Sequence, residues 1–285
     1  MSLPATTGDS RESSALMGRA MSGAGSCAAR VGARTRRILA SVGSAAWLAV
    51  QVFRASLRIR TDQVGLIYAV TRMQVRFTAL DALALTLFTA LLLGGITLLQ
   101  VFSQLSGFGA ENYLSQLMAR LVLRELGPLL VAIVVIGRSG TAIAAELASM
   151  RLNGEIDALC AMGVNPLQFV LAPRVVGGMI SMFTLIICFD AAALLGGFFV
   201  ARLRLPLSLS FYLNALGSAI GGKELAITLL KGLVFGGTVP LLCASYGLRV
   251  RTSPTEIPQA VTKAVVASLL AVFLSGALLS VAIYG

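Results

Sequence analysis

Long runs of apolar residues recur five times along the last two thirds of the chain. They cover about Leu80–Phe102, Leu121–Ala144, Val175–Val200, Leu225–Tyr246 and Val261–Tyr284. A helix needs about 20 apolar residues to cross the hydrocarbon core of a bilayer, and each run is about that long or longer. The pattern therefore predicts an all-α integral membrane protein with five transmembrane helices, here numbered span 1 to span 5 within a domain of residues 78–285.

The first 60 residues have a different pattern. Residues 1–30 are rich in Ser, Gly and Ala without apolar periodicity, which predicts a flexible tail and not a signal peptide. Residues 31–60 contain the apolar stretch Ile38–Phe53, which has arginines on both sides. It is short for a span, so an amphipathic helix lying in the membrane interface is favoured, and a short sixth span is the alternative.

The composition supports a membrane protein. Hydrophobic residues make up 57% of the chain and charged residues 12%, whereas about a quarter of a soluble domain is charged. This balance excludes a disordered protein, a coiled coil and nearly any ordinary soluble enzyme.

Charge is concentrated at one end. The net charge is +11, and the first 76 residues hold 11 arginines against three acids. No nucleic-acid-binding motif accompanies them, so the basic segment predicts a cytoplasmic N-terminus and, after five spans, a C-terminus on the outer side of the membrane. Arg249 and Arg251 in the 247–260 loop agree with this orientation, whereas the basic residues of the 201–224 loop do not.

The chain shows no catalytic or metal-binding signature. It has no histidine, its four cysteines form no CxxC pair, and it has neither a P-loop nor a nucleophile elbow. We therefore expect no metal, no bound cofactor and no enzymatic activity. Active transport would need energy from a partner or from an ion gradient.

Four charged residues inside the predicted spans converge on one depth. Arg124 and Glu125 lie near the outer end of span 2, Asp190 in the outer half of span 3, and Lys231 near the outer end of span 4. Charge at this depth usually faces a bundle interior or a cavity. Two interpretations stay open at this point: a polar lining that holds the head group of an amphiphile, or ion pairs that lock the helices together.

The segment between spans 2 and 3 predicts a short cytoplasmic helix at about 154–163. Its residues Glu155 to Met162 follow Asn153–Gly154 and precede Gly163, which are typical helix boundaries. A bounded helix between two spans is a surface that a soluble partner can hold. An ordinary connector is the alternative.

The sequence resembles the MlaE/YrbE family, the permease subunits of ABC transporters that work with MCE-domain proteins. The resemblance covers about residues 40–285 and rests above all on the runs RELGP at 124–128, GRSGTA at 137–142, EIDAL at 155–159 and MGVNP at 162–166.

The resemblance implies a homodimer in a bacterial inner membrane that moves phospholipid between the inner and outer membranes and maintains lipid asymmetry. It implies a separate ABC ATPase subunit that binds the ATP, a periplasmic MCE hexamer and an accompanying STAS-domain protein. It also implies that the short helix docks on the ATPase, through Glu155, Ile156, Asp157, Leu159 and Met162.

The family's lipid pocket maps onto Arg124, Glu125 and Lys231, the residues that depth had already grouped. With Asp190 and with Phe108, where relatives often have tyrosine, they form the predicted lipid-binding set. The alternatives are transport of sterols or other hydrophobic compounds, a non-transporting membrane scaffold, and an ion-gradient carrier that uses Asp190 as a proton site.

Overall fold

A computed structural model describes residues 64–106, 122–204, 221–251 and 253–284, which are helical apart from short turns and contain no strand. Within these ranges five helices are long and apolar enough to cross a membrane. They are Tyr68–Val101, Val122–Leu152, Leu167–Val200, Leu225–Gly247 and Glu256–Ile283. The prediction of an all-α protein with five spans is confirmed. The predicted tail, residues 1–30, and the predicted interfacial helix, residues 31–60, lie outside the described residues.

Short π-helical turns interrupt the first three spans. The α-helical segments are Val64–Val75, Asp81–Ser106, Gly127–Val135, Thr141–Leu152, Glu155–Ala161, Ala172–Arg204, Gly222–Gly247 and Glu256–Tyr284. The π-helical turns are Arg76–Leu80, Val122–Leu126, Ile136–Gly140 and Leu167–Leu171. A π turn adds a residue to the helical repeat and often marks a functional position. It therefore rotates the side chains that follow it relative to a regular helix.

Helices extend beyond the predicted bounds of several spans, and spans 1 and 5 are examples. Span 1 was predicted to begin near residue 80, but its helix already runs through Val64–Val75 with Arg72 exposed. Span 5 begins at Glu256 and not near residue 261. The apolar stretch ends where charged residues begin, whereas helical backbone hydrogen bonding continues through them. The apolar pattern therefore predicted the membrane-spanning part of each helix and missed its extension.

Glycines mark close contacts between spans. A Cβ at Gly94 would overlap the carbonyl oxygen of Ala193, and one at Gly196 would overlap the backbone of Leu91. These two contacts join spans 1 and 3, which therefore pack backbone against backbone. Small residues at helix contacts allow this approach inside a bilayer.

Replacing Gly236 by alanine should destabilise the bundle by about 1–3 kcal/mol, because overpacking forces backbone shifts. The new Cβ would lie 2.7 Å from Met179 Cα and 2.8 Å from the carbonyl oxygen of Gly178, and neither backbone atom can move away easily. Thermal unfolding of the purified protein in detergent measures the effect. The matched control is Gly137→Ala in span 2, whose Cβ would meet no atom within 4 Å. Equal melting temperatures for the two variants would refute this packing.

Candidate functional site

Lys231 is the centre of a polar cluster built from spans 2, 4 and 5. Its side chain is only 2% exposed. Nζ donates hydrogen bonds to Glu125 Oε1 at 3.0 Å, to the Arg124 carbonyl oxygen at 2.8 Å and to Ser280 Oγ at 2.9 Å. An ammonium group has three donors, so all of them have partners. A charge buried among apolar helices needs such partners, because it is costly without them.

Glu125 is the partly open member of the same cluster. Its Oε1 accepts hydrogen bonds from Lys231 and from Ser280 Oγ at 2.8 Å, and lies 3.5 Å from Arg124 Nε. The side chain of Glu125 is 38% exposed and that of Arg124 is 23% exposed. A molecule that approaches the cluster therefore meets the carboxylate and the guanidinium first, with the Lys231 ammonium behind them.

Pro128 explains why span 4 is tied to span 2 at this point. Proline has no N–H to donate to the carbonyl four residues back in its helix, which here is that of Arg124. Span 4 supplies a side-chain donor to this carbonyl and another to the carbonyl before it: Lys231 Nζ bonds to the Arg124 carbonyl, and Thr228 Oγ1 bonds to the Leu123 carbonyl at 3.1 Å. Backbone groups in a bilayer need internal partners, so the RELGP run itself calls for polar side chains on the neighbouring helix.

Asp190 lies at the predicted depth but outside the hydrogen-bonded cluster. It is 7% exposed, and its Oδ1 has no hydrogen-bond partner. The carboxylate instead packs against Gly127, where an added Cβ would come within 2.5 Å of Oδ1. Asp190 is thus next to the Arg124–Glu125 turn without forming an ion pair in the part of the chain that the structure describes.

The structure brings together three of the five residues in the predicted lipid-binding set, Arg124, Glu125 and Lys231. Phe108 lies outside the described residues, so its role stays a prediction. Sequence reasoning missed Ser280 and Thr228. Hydroxyl residues are common in membrane helices and often bond to their own backbone. Only the proline, which leaves the Arg124 carbonyl without its usual donor, signalled a need for a polar partner on the neighbouring helix.

Changing Ser280 to alanine should lower the free energy of unfolding by about 1 kcal/mol, since it removes one partner each from Lys231 and Glu125. Ser275→Ala on the same helix is the matched control, because its hydroxyl bonds only to the carbonyls of Ala271 and Val272. Thermal unfolding compares the two variants. Equal losses would show that Ser280 contributes no more than a serine bonded to its own helix.

A short helix, Glu155–Ala161, lies at the other end of span 2 within the predicted 154–163 range. Gly154 and Gly163 flank it with φ of 73° and 75°, a left-handed conformation that glycine adopts without strain. Both are therefore true boundaries, as their positions in the sequence predict.

The predicted docking residues of the short helix differ in how far their side chains are exposed. Ile156 is 8% exposed and packs inward, so it holds the helix in place. Glu155 and Asp157 are exposed, Leu159 is half-buried and Met162 is 68% exposed. An apolar side chain so exposed at a helix end is available to a partner.

Ion pairs fix the segments around the short helix. Arg151, in the last turn of span 2, pairs with Asp157, and Arg174 pairs with Glu146 at 2.6 Å. The helix is therefore tied to span 2, whose position it would follow.

Comparison with known proteins agrees with the sequence motifs. Residues 71–282 match the family model described as Permease MlaE. A probable ABC transporter permease protein of Rickettsia prowazekii is 29% identical over 73% of this chain and 80% of its own length. One from Synechocystis is 30% identical over 83% and 88%. The intermembrane phospholipid transport system permease protein MlaE of Haemophilus influenzae is 32% identical over 70% and 77%.

Proposed function

Because the chain belongs to the MlaE permease family, as a transport subunit and not a catalytic one, we propose that it carries phospholipid across or out of a bacterial inner membrane. The proposed cargo agrees with the name of the Haemophilus relative, an intermembrane phospholipid transport system permease protein. In this proposal the transfer connects the inner and outer membranes and maintains the lipid asymmetry of the outer membrane.

The observation that carries the proposal is the partly open charge cluster around Lys231. A phospholipid head group has an anionic phosphate, and many head groups also have a cationic amine. Arg124 would attract the phosphate, with the positive charge of Lys231 behind it, while the exposed part of Glu125 would attract an amine. If the ion pair only stabilised the fold, exposure of its carboxylate would weaken it, because solvent screens exposed pairs. The Glu125 side chain is nevertheless 38% exposed, as a role in binding requires.

A second copy of the chain is the proposed wall of the lipid cavity. Span 5 is the least buried of the five spans. On its outer half, Leu274, Leu278 and Val281 are 64–70% exposed next to Ser280 of the cluster. Packing two copies along this half would bury these residues and place both clusters beside one enclosed apolar space.

A separate ABC ATPase is the proposed source of energy. Its proposed contact is the short helix, through Met162 and the other exposed residues, and closure of the ATPase would move span 2 through the pair between Arg151 and Asp157. The proposed complex also contains a periplasmic MCE hexamer and a STAS-domain protein, with the N-terminus of this chain in the cytoplasm and its C-terminus in the periplasm.

Purification of the chain with its ATPase, followed by mass spectrometry of the extracted lipids, tests this function. We expect phospholipid to be the dominant bound lipid. Sterol or another hydrophobic compound in its place would favour the alternative cargo. The absence of any bound lipid would favour a scaffold without transport activity.

A further inference from the structure

A second polar cavity lies at the opposite end of the bundle from Lys231, where span 4 ends and span 5 begins. Its volume is about 360 Å³, and its lining includes Tyr246, Arg249, Glu256, Gln259 and Lys263. At about 1.5 Å per residue, Tyr246 is roughly 22 Å along span 4 from Lys231, and Lys263 roughly 25 Å along span 5 from Ser280. The cavity is therefore a separate site, at the end of the bundle that carries the short helix.

The floor of this cavity is apolar and closed. Val250 and Ala260 line it and are buried against Ala148 of span 2, with Leu152 and Ile257 packed beside them. The cavity thus rests on the last turns of span 2. A ligand held there would contact spans 4 and 5 directly above the contact between spans 2 and 5.

Two cations give the cavity its chemistry. The guanidinium carbon of Arg249 lies 5.1 Å from the centre of the Tyr246 ring, and such a cation–π contact holds the side chain in place. Lys263 is exposed and forms none of the ion pairs found among the described residues. Oxygen Oε2 of Glu256, the one acid in the lining, accepts a hydrogen bond from the backbone N–H of Arg251 at 3.4 Å. An arginine and a lysine that line one cavity are a common setting for phosphate oxygens.

We propose that this cavity binds the phosphate of an anionic phospholipid head group from the adjacent membrane leaflet. The phosphate belongs to a lipid in this proposal because span 5 is apolar beyond Lys263. On the same exposed face of the helix, the side chains that follow Lys263 toward the membrane are apolar. Val266 is 51% exposed and Leu270 is 55% exposed. A phosphate at Lys263 would place its acyl chains on these residues, whereas a free phosphate would leave them without a partner.

Photo-cross-linking from the cavity tests this site without interference from the Lys231 cluster. A benzophenone amino acid replaces the exposed Gln259, and the protein is placed in nanodiscs of phosphatidylcholine with a minor fraction of phosphatidylglycerol. Mass spectrometry then identifies the attached lipid. We expect enrichment of phosphatidylglycerol over its share of the bilayer, and a loss of about tenfold or more in the double variant Arg249→Gln/Lys263→Gln. The control Arg251→Gln removes a nearby exposed charge outside the lining and should retain capture.

Three results would overturn the proposal. Capture in proportion to bilayer composition would show that no head group is recognised. An equal loss in Arg251→Gln would show a general effect of surface charge. Saturable binding of inorganic phosphate, but not of chloride at the same ionic strength, in a protein that captures no lipid would identify free phosphate as the ligand and exclude the lipid.

Discussion

Replacing Lys231 by methionine should abolish phospholipid transport and lower the stability of the bundle. The variant keeps the length of the side chain but removes the partner of Glu125, of Ser280 and of the Arg124 carbonyl. Breaking a buried ion pair by removing one partner typically costs about 3–5 kcal/mol. We expect the melting temperature in detergent to fall, and ATP-driven phospholipid transfer by the reconstituted complex to be lost.

Lys231→Arg separates the loss of charge from the loss of shape. It retains a cation, so we expect it to recover part of the stability, whereas the wider guanidinium should disturb the geometry with the Arg124 carbonyl and with Ser280. If Lys231→Met transports phospholipid at the rate of the unmodified protein, the cluster has no role in transport.

Introducing aspartate at Met162 should uncouple the permease from its ATPase without unfolding it. Met162 is 68% exposed at the end of the short helix, so the folded protein loses little. If Met162 is a central contact of the interface, its loss should cost about 2 kcal/mol or more, the value of a binding hot spot, or about thirtyfold in affinity. We expect co-purification of the ATPase and ATP-driven transfer to fall together, while bound phospholipid and the melting temperature remain unchanged.

Two other substitutions serve as controls for the Met162→Asp variant. Met73→Asp changes a methionine that is 76% exposed, in the basic extension of span 1, and should leave ATPase binding intact. Ile156→Asp places a charge at a buried position of the short helix and should lower the melting temperature as well. Retained ATPase binding in Met162→Asp would remove the short helix from the proposed interface.

The sequence predicted the parts of the site that depend on depth and missed those that depend on rotation about a helix axis. Counting residues along three spans placed Glu125 and Lys231 at one level, and the structure shows them 3.0 Å apart. The same count placed Asp190 there correctly, yet its carboxylate faces Gly127 and not the cluster. The π turn Val122–Leu126 changes the direction of the side chains around it, and the apolar pattern contains no sign of that turn.

The ends of the helices and the hydroxyl groups that bond to Lys231 could not be predicted from the sequence either, for physical reasons. Hydropathy located the apolar part of span 1, but the helix continues through Arg72 and Arg76 because backbone hydrogen bonds do not depend on polarity. Ser280 looks like any small residue of a membrane helix until span 5 is placed beside Lys231. The short helix between spans 2 and 3 was predictable because glycines with positive φ bound it on both sides.

ATP-driven transfer of phospholipid by the Glu125→Gln variant tests the central claim most directly. Glutamine has the size of glutamate, and its carbonyl oxygen still accepts hydrogen bonds from Lys231 and Ser280, so the complex should assemble and hydrolyse ATP. The substitution removes the negative charge, which is both the counter-ion of Lys231 and the proposed partner of a head-group amine. The proposed function predicts that transfer falls by about tenfold or more, the effect of one lost charged contact. Transfer at the unmodified rate by an assembled Glu125→Gln complex would contradict it.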